Sequence, residues 1–171
     1  MMPITHADHI QGNEHAPVTL VEYGDFECPN CKQAAPAVKM ILGHFAGRIR
    51  FVWRHFPLEE VHPHALHAAL AAEAAGAQRK FWPMHDLLLE SQSHLKDPQL
   101  ERYAGQMQLD VARFRSDMAH DAYLQRVREH IADARKSGAR STPTFFVNGD
   151  LQDVSFGLQA LHQRVEEALR S

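Results

Sequence analysis

The chain has 171 residues, and its 18 Lys and Arg against 21 Asp and Glu leave a formal charge of −3 at neutral pH. That balance removes the electrostatic case for nucleic acid or an anionic membrane as a partner, and the length suits one domain better than two. The two cysteines, Cys28 and Cys31, are too few for a disulfide-dense scaffold or a four-thiolate zinc site. Residues 1–17 are polar and lack the apolar core of a secretory leader. Residues 65–75, the longest apolar-rich stretch, are interrupted by His67 and Glu73 and are too short to cross a bilayer. These features predict a cytoplasmic chain, or a periplasmic one if its N-terminus has been trimmed.

Residues 18–23 (VTLVEY) are β-branched and apolar and predict a buried strand. A helix is expected from the cysteine motif onward, with Pro29 in its first turn, Ala35, Val38, Met40, Ile41 and Phe45 as its apolar side, and Gly47 at its end. Residues 50–56 (RFVWRHF) read as a second strand, which completes a parallel β-α-β unit. A helical block follows. Its pieces are residues 64–75 stopping at Gly76, residues 80–90, a helix capped by Asp97 and opened by Pro98, a short one from Asp110 to Met118, and one carrying Tyr123, Val127, Ile131 and Ala134. Residues 144–147 (TFFV) restore strand character, Asn148-Gly149 marks a hairpin, and residues 152–156 are the expected return strand. Leu158, Leu161, Val165 and Leu169 form the stripe of a final helix. The fold class is α/β, a sheet interrupted by helices within one domain.

Cys28-Pro29-Asn30-Cys31 carries the chemistry. Within one helical turn two sulfurs can close a small disulfide ring, and the first sits at the helix N-terminus, where free N–H groups and the dipole favour a thiolate. The second lies deeper. One accessible nucleophile and one resolving thiol are what disulfide exchange requires. Three other readings stand beside this one: an inert buried pair, a structural disulfide, and a zinc site completed by His62, His64 and His67. For the rest, Trp53, Trp82 and the phenylalanines suit a core, Arg54 and His55 a solvated strand edge, and His6, His9 and His15 a mobile N-terminus.

The order of these pieces resembles the DsbA-like thiol–disulfide oxidoreductases of the thioredoxin superfamily, nearly end to end. Glu22 stands six residues before the first cysteine, where that family has a buried acid, and Phe26 stands at its aromatic position. Pro36 matches its helix-kinking proline, and Ser141-Thr142-Pro143-Thr144, ahead of Phe145-Phe146-Val147, matches its cis-proline loop. His62-Pro63 with the alanine-rich helix, and Phe81-Trp82 with Met84-His85-Asp86, resemble further segments of bacterial members.

The resemblance implies thioredoxin-like parts at about 16–60 and 140–171, with a helical insertion at about 61–139, all within a single domain of residues 1–171. It implies catalysis by Cys28 and Cys31 with Glu22 relaying a proton, support from Pro29, Asn30 and Phe26, and substrate binding at Thr142 and a cis Pro143. It implies no metal and no cofactor beyond the Cys28–Cys31 disulfide. The partners would be protein or peptide thiols and disulfides, with glutathione or a thioredoxin-type protein as redox partner. An alternative for Glu22 is a strand-edge acid paired with Lys39. Pro-Asn replaces the Pro-His dipeptide of strongly oxidising members, and Asp25 and Glu27 add negative charge expected to oppose the thiolate. A less acidic Cys28 and a less oxidising disulfide follow. Ser141 replaces a frequent glycine. Two other functions fit the sequence: a redox-responsive binding or chaperone module, and a glutathione-dependent transferase or isomerase, which the second cysteine argues against.

Overall fold

The computed structural model describes residues 1–171. In chain order its elements are β1 (His9–Gly12), β2 (Val18–Gly24), α1 (Pro29–His44), β3 (Ile49–His55), α2 (Ala65–Gly76), α3 (Phe81–Glu90), α4 (Asp97–Gln106), α5 (Val111–Ala119), α6 (Leu124–Lys136), β4 (Thr144–Val147), β5 (Asp150–Leu151) and α7 (Gln159–Arg170). The strands form one sheet in the order β1-β3-β2-β4-β5. Only β2 and β3 are parallel, with Glu22 opposite Trp53, as the β2-α1-β3 crossover demands. β2, at the centre, is covered on both faces, which is why its sequence reads as a nearly unbroken apolar run.

The two-residue period of the strands sorts side chains between two layers. Leu20, Phe51, Trp53, Phe145 and Val147 pack with Val38 and Ile41 of α1 and Leu161 and Val165 of α7. Val21, Tyr23, Val52 and Phe146 pack on the other face with Ala69 and Leu70 of α2 and with Val127 and Ile131 of α6. The helices α2 to α6 lie between β3 and β4 in sequence. The α2 helix is buried nearly all round, and its alanines let α3 and α5 approach closely. The Asn148-Gly149 hairpin forms between β4 and β5, with φ of 48° and 87°, the left-handed pair that such a two-residue turn requires.

Some expectations fail for identifiable reasons. The return strand is only Asp150–Leu151, and residues 152–156 form a loop rather than a ladder. Asp97 is already helical and accepts from His67 Nδ1 (2.7 Å), while Gln99 Oε1 reaches back to the backbone N–H of Lys96. His9 is no mobile tail residue. It lies in β1, an edge strand that the sequence pattern did not announce, stacks on Phe81 with centroids 3.6 Å apart, and its Nε2 is 2.6 Å from Glu73 Oε2.

Arg54 and His55 are buried, not solvated at an edge. Arg54 pairs with Asp8 and Asp133, and also donates to Tyr23 and to the backbone carbonyls of Met2 and Pro3. His55 Nδ1 accepts from Trp53 Nε1–H (3.2 Å), so its Nε2–H donates to Glu73 (2.9 Å). Burial lowers the pKa of His55.

Candidate active site

Cys28 is the N-cap of α1 and Pro29 its first helical residue, a position where the missing N–H of proline costs nothing. No acid lies in the first turn, so no charge of the helix's own opposes its dipole at this end. Pro36 lies within α1, and Cys31, one turn inside, is buried. Cys28 is 6% exposed and Cys31 1%.

The two thiols are driven apart electrostatically. A hydrogen bond from the Cys31 thiol is the main cause that brings Cys28 down to about 5, against the opposing effect of burial. The nearby backbone N–H groups of Cys31 and Asn30 lower it further. Cys31 moves well above the ordinary thiol range, first through burial, then through the same sulfur–sulfur bond and the nearby charge of Glu22. One sulfur is therefore a thiolate at neutral pH and the other keeps its proton.

Asp25 and Glu27 do not oppose that thiolate in the way their charges suggested. The carboxylate of Asp25 is buried and bound to the backbone N–H groups of Glu27 and Leu58 and to His62 Nδ1 (2.7 Å). Glu27 accepts from the backbone N–H of His64 (2.9 Å). Both acids fasten the motif loop to the segment ahead of α2. The backbone N–H of Asp25 also points at Cys31 Sγ, 3.4 Å away.

Glu22 sits on the α1 face of β2, 3% exposed, and its Oε1 has no hydrogen-bond partner. Burial, and then the charge of Cys28, push its pKa up to about 8. Lys39 is not its partner. That lysine lies 3.7 Å from Asp86 on α3 instead. Above Glu22, Phe26 stacks on Trp53 (4.8 Å) and His85 meets the indole edge-on (4.5 Å). Gly24 lies directly under the Trp53 ring, and any β-carbon there would run into the indole.

Across from Cys28 the Thr142–Pro143 peptide bond is cis, and the Cys28 thiol lies 3.5 Å from the Thr142 carbonyl. The Thr142 hydroxyl is buried without a partner, and Ser141 does not take a positive φ. A groove of about 980 Å³ runs from Asn30 and Gln33 past Thr142 and Pro143 to Arg140 and Leu151. Pro29 and Asn30 are exposed beside it.

The structure thus brings Glu22, Phe26, Cys28, Pro29, Asn30, Cys31, Thr142 and Pro143 into one region. His62, His64 and His67 do not converge. The first is held by Asp25, the third by Asp97, and nowhere do three or more His, Cys, Asp or Glu side chains gather as a metal site would require. Sequence reasoning missed Gln92, whose side-chain Nε2 donates to the carbonyls of Phe26 (2.9 Å) and Cys28 (2.7 Å). A lone polar residue just past a helix end carries no pattern that would have singled it out.

The thioredoxin family profile matches residues 5–167. Among solved structures, a thioredoxin-like oxidoreductase from Silicibacter pomeroyi superposes with a TM-score of 0.86 at 26% identity, covering 98% of this chain and 95% of that one. Oxidised BdbD from Bacillus subtilis superposes with a TM-score of 0.84 at 22% identity, covering 95% of this chain and 92% of its own, which speaks for the fold. The thiol-disulfide exchange protein alpha-DsbA2 from Wolbachia pipientis does so at 0.83 and 22%, over 95% of this chain and 87% of its own. A protein of Salinispora arenicola named Na(+)/H(+) antiporter NhaA 1 is 49% identical over 98% of this chain, which spans only 26% of that relative. No helix here is long and apolar enough to cross a membrane. By sequence profile and by fold, the chain belongs to the thioredoxin family, with the DsbA-like arrangement of a helical block between the β-α-β unit and the cis-proline strand.

Proposed function

We propose that the chain is a thiol–disulfide oxidoreductase that exchanges its Cys28–Cys31 pair with the thiols of polypeptide substrates, acting as the oxidant. The opposite displacement of the two thiols supports this reading most directly: Cys28 falls to about 5 while Cys31 rises. Stabilising one thiolate stabilises the reduced form, so the disulfide readily accepts electrons. A substrate thiolate attacks Cys28 Sγ, the Cys28–Cys31 bond breaks, and a mixed disulfide forms as Cys31 leaves and takes up a proton. A second substrate thiolate then attacks the substrate sulfur of that mixed disulfide and releases Cys28 as the thiolate. Two electrons pass from substrate to protein.

Around this exchange, Glu22, protonated below about 8, is placed to pass a proton to the departing Cys31. The backbone of Thr142 faces Cys28 and can pair with an extended substrate in the groove. An oxidant works outside a reducing thiol pool, so the compartment follows from the direction of electron flow. In the antiporter-named relatives, the matched quarter would be a redox module of a larger chain.

The test is turnover of a peptide dithiol by the oxidised protein, together with two variants. Cys28→Ser should lose all detectable activity, and Cys31→Ser should accumulate mixed disulfides through Cys28. Full activity in Cys28→Ser would end the reading. Partner binding that depends on redox state but shows no turnover would instead make this a binding module.

A further inference from the structure

Cys28 is the N-cap of α1, where the helix dipole favours a thiolate, so its reactivity depends on how the turn leading into α1 is held. Inside the turn the bonds are few: the Cys28 N–H donates to the Asp25 carbonyl (3.1 Å), and the Cys28 carbonyl accepts from Cys31 (3.1 Å) and Lys32 (3.3 Å). A further tie comes from the helical block. Gln92 follows directly after the C-cap of α3, half-buried, and its carboxamide nitrogen bridges the carbonyls on either side of the turn, Phe26 at 2.9 Å and Cys28 at 2.7 Å. A carboxamide has two N–H donors, one for each carbonyl. The bond to the Cys28 carbonyl is the shortest that oxygen receives.

We propose that Gln92 is a positioning residue for Cys28, by which the helical block fixes the N-cap turn and with it the place of the sulfur at the N-terminus of α1. Gln92 touches no reacting atom. With its donors removed, the turn is held only by its own bonds and by the Asp25 and Glu27 ties to the segment ahead of α2. The sulfur then spends more of its time away from the helix N-terminus, and the thiolate is less favoured. The inference rests on the reading of Cys28 as the reacting sulfur.

The experiment titrates the thiolate absorbance of the full, reduced chain and measures the iodoacetamide rate near the wild-type midpoint, alongside thermal unfolding. Gln92→Met keeps the length and removes the donors. Its midpoint should rise above about 5 and its alkylation rate there should fall about three- to tenfold, the worth of one or two hydrogen bonds. Gln92→Glu, which places a carboxylate against two carbonyls, should move the midpoint further in the same direction. Gln92→Asn, with the donors on a shorter arm, should fall between wild type and Gln92→Met. An unmoved midpoint in the variants that fold, whatever their melting temperature, would overturn the proposal and leave Gln92 a packing tie. Because turnover is not measured, an inactive chain with a displaced midpoint would sink the oxidoreductase reading and spare this one.

Discussion

Glu22 and Cys28 lie close in the chain and titrate in opposite directions because one is enclosed by apolar side chains and the other stands beside the Cys31 thiol at a helix N-terminus. The folded pKa of Glu22, about 8, exceeds the ordinary carboxyl value of 4.5. The native state therefore holds a proton that the unfolded chain gives up between those values. Stability from this group is fully present below about 4.5 and is lost as the pH rises to about 8, at no more than about 1.4 kcal/mol per pH unit. Glu22→Gln, neutral at every pH, should flatten that slope. Urea denaturation of the oxidised chain across this window is the check, and an equally steep fall in the variant would mean that another group carries it. The position of Glu22 was legible only through the resemblance; on its own, an acid in a strand is more often paired, and Lys39 was the obvious partner. Lys39 goes to Asp86 because α1 turns that side of its surface toward α3. The acids flanking the motif misled for a related reason, since formal charge says nothing of the backbone N–H groups from which Asp25 and Glu27 accept.

The β-α-β unit, the helical block and the hairpin were readable from periodicity and turn residues, because each buries a wide apolar face or uses a residue that few conformations accept. Short polar elements were not. β1 is His9–Gly12, half exposed, and has strand geometry only because β3 offers it an edge. Arg54 escaped for the same reason: a charged residue in a strand reads as solvated, whereas here it is the hub on which β3, β2, α6 and the segment ahead of β1 meet. Its partners Asp8 and Asp133 are buried with it. Arg54→Ala would leave two carboxylates and the Tyr23 hydroxyl without their cation, at a cost of about 3–5 kcal/mol. Arg54→Met should recover packing but little of that loss. The cluster lies on the sheet face opposite Glu22 and α1, so the Cys28 titration should stay in place in Arg54→Met while the urea midpoint drops. A thiolate midpoint that moved with stability would mean that the two faces of the sheet are coupled.

Over the whole molecule, thiolate stabilisation and folding stability are one quantity measured in two ways. The oxidised and reduced chains differ by one bond, and only the reduced one carries the Cys28 thiolate. The folded pKa of Cys28, about 5, lies below the ordinary thiol value of 9, so between these limits the unfolded dithiol holds a proton that the native one has released. Stability from this group is present above about 9 and is lost as the pH falls through about 5. Cys31, displaced upward in the native state, keeps its proton in both states below the ordinary thiol value of 9. Glu22 works in the opposite sense: its burial acts in both redox forms and cancels from their difference, while the Cys28 charge adds to it only in the reduced form and offsets part of the gain. The advantage of the reduced over the oxidised chain should therefore widen as the pH rises from 5 to 8. Paired urea denaturations with and without dithiothreitol would show it. A gap independent of pH would mean that Cys28 is not held as a thiolate, and with it would go the driving force for taking electrons from a substrate, since folding and reduction share the same thermodynamic cycle.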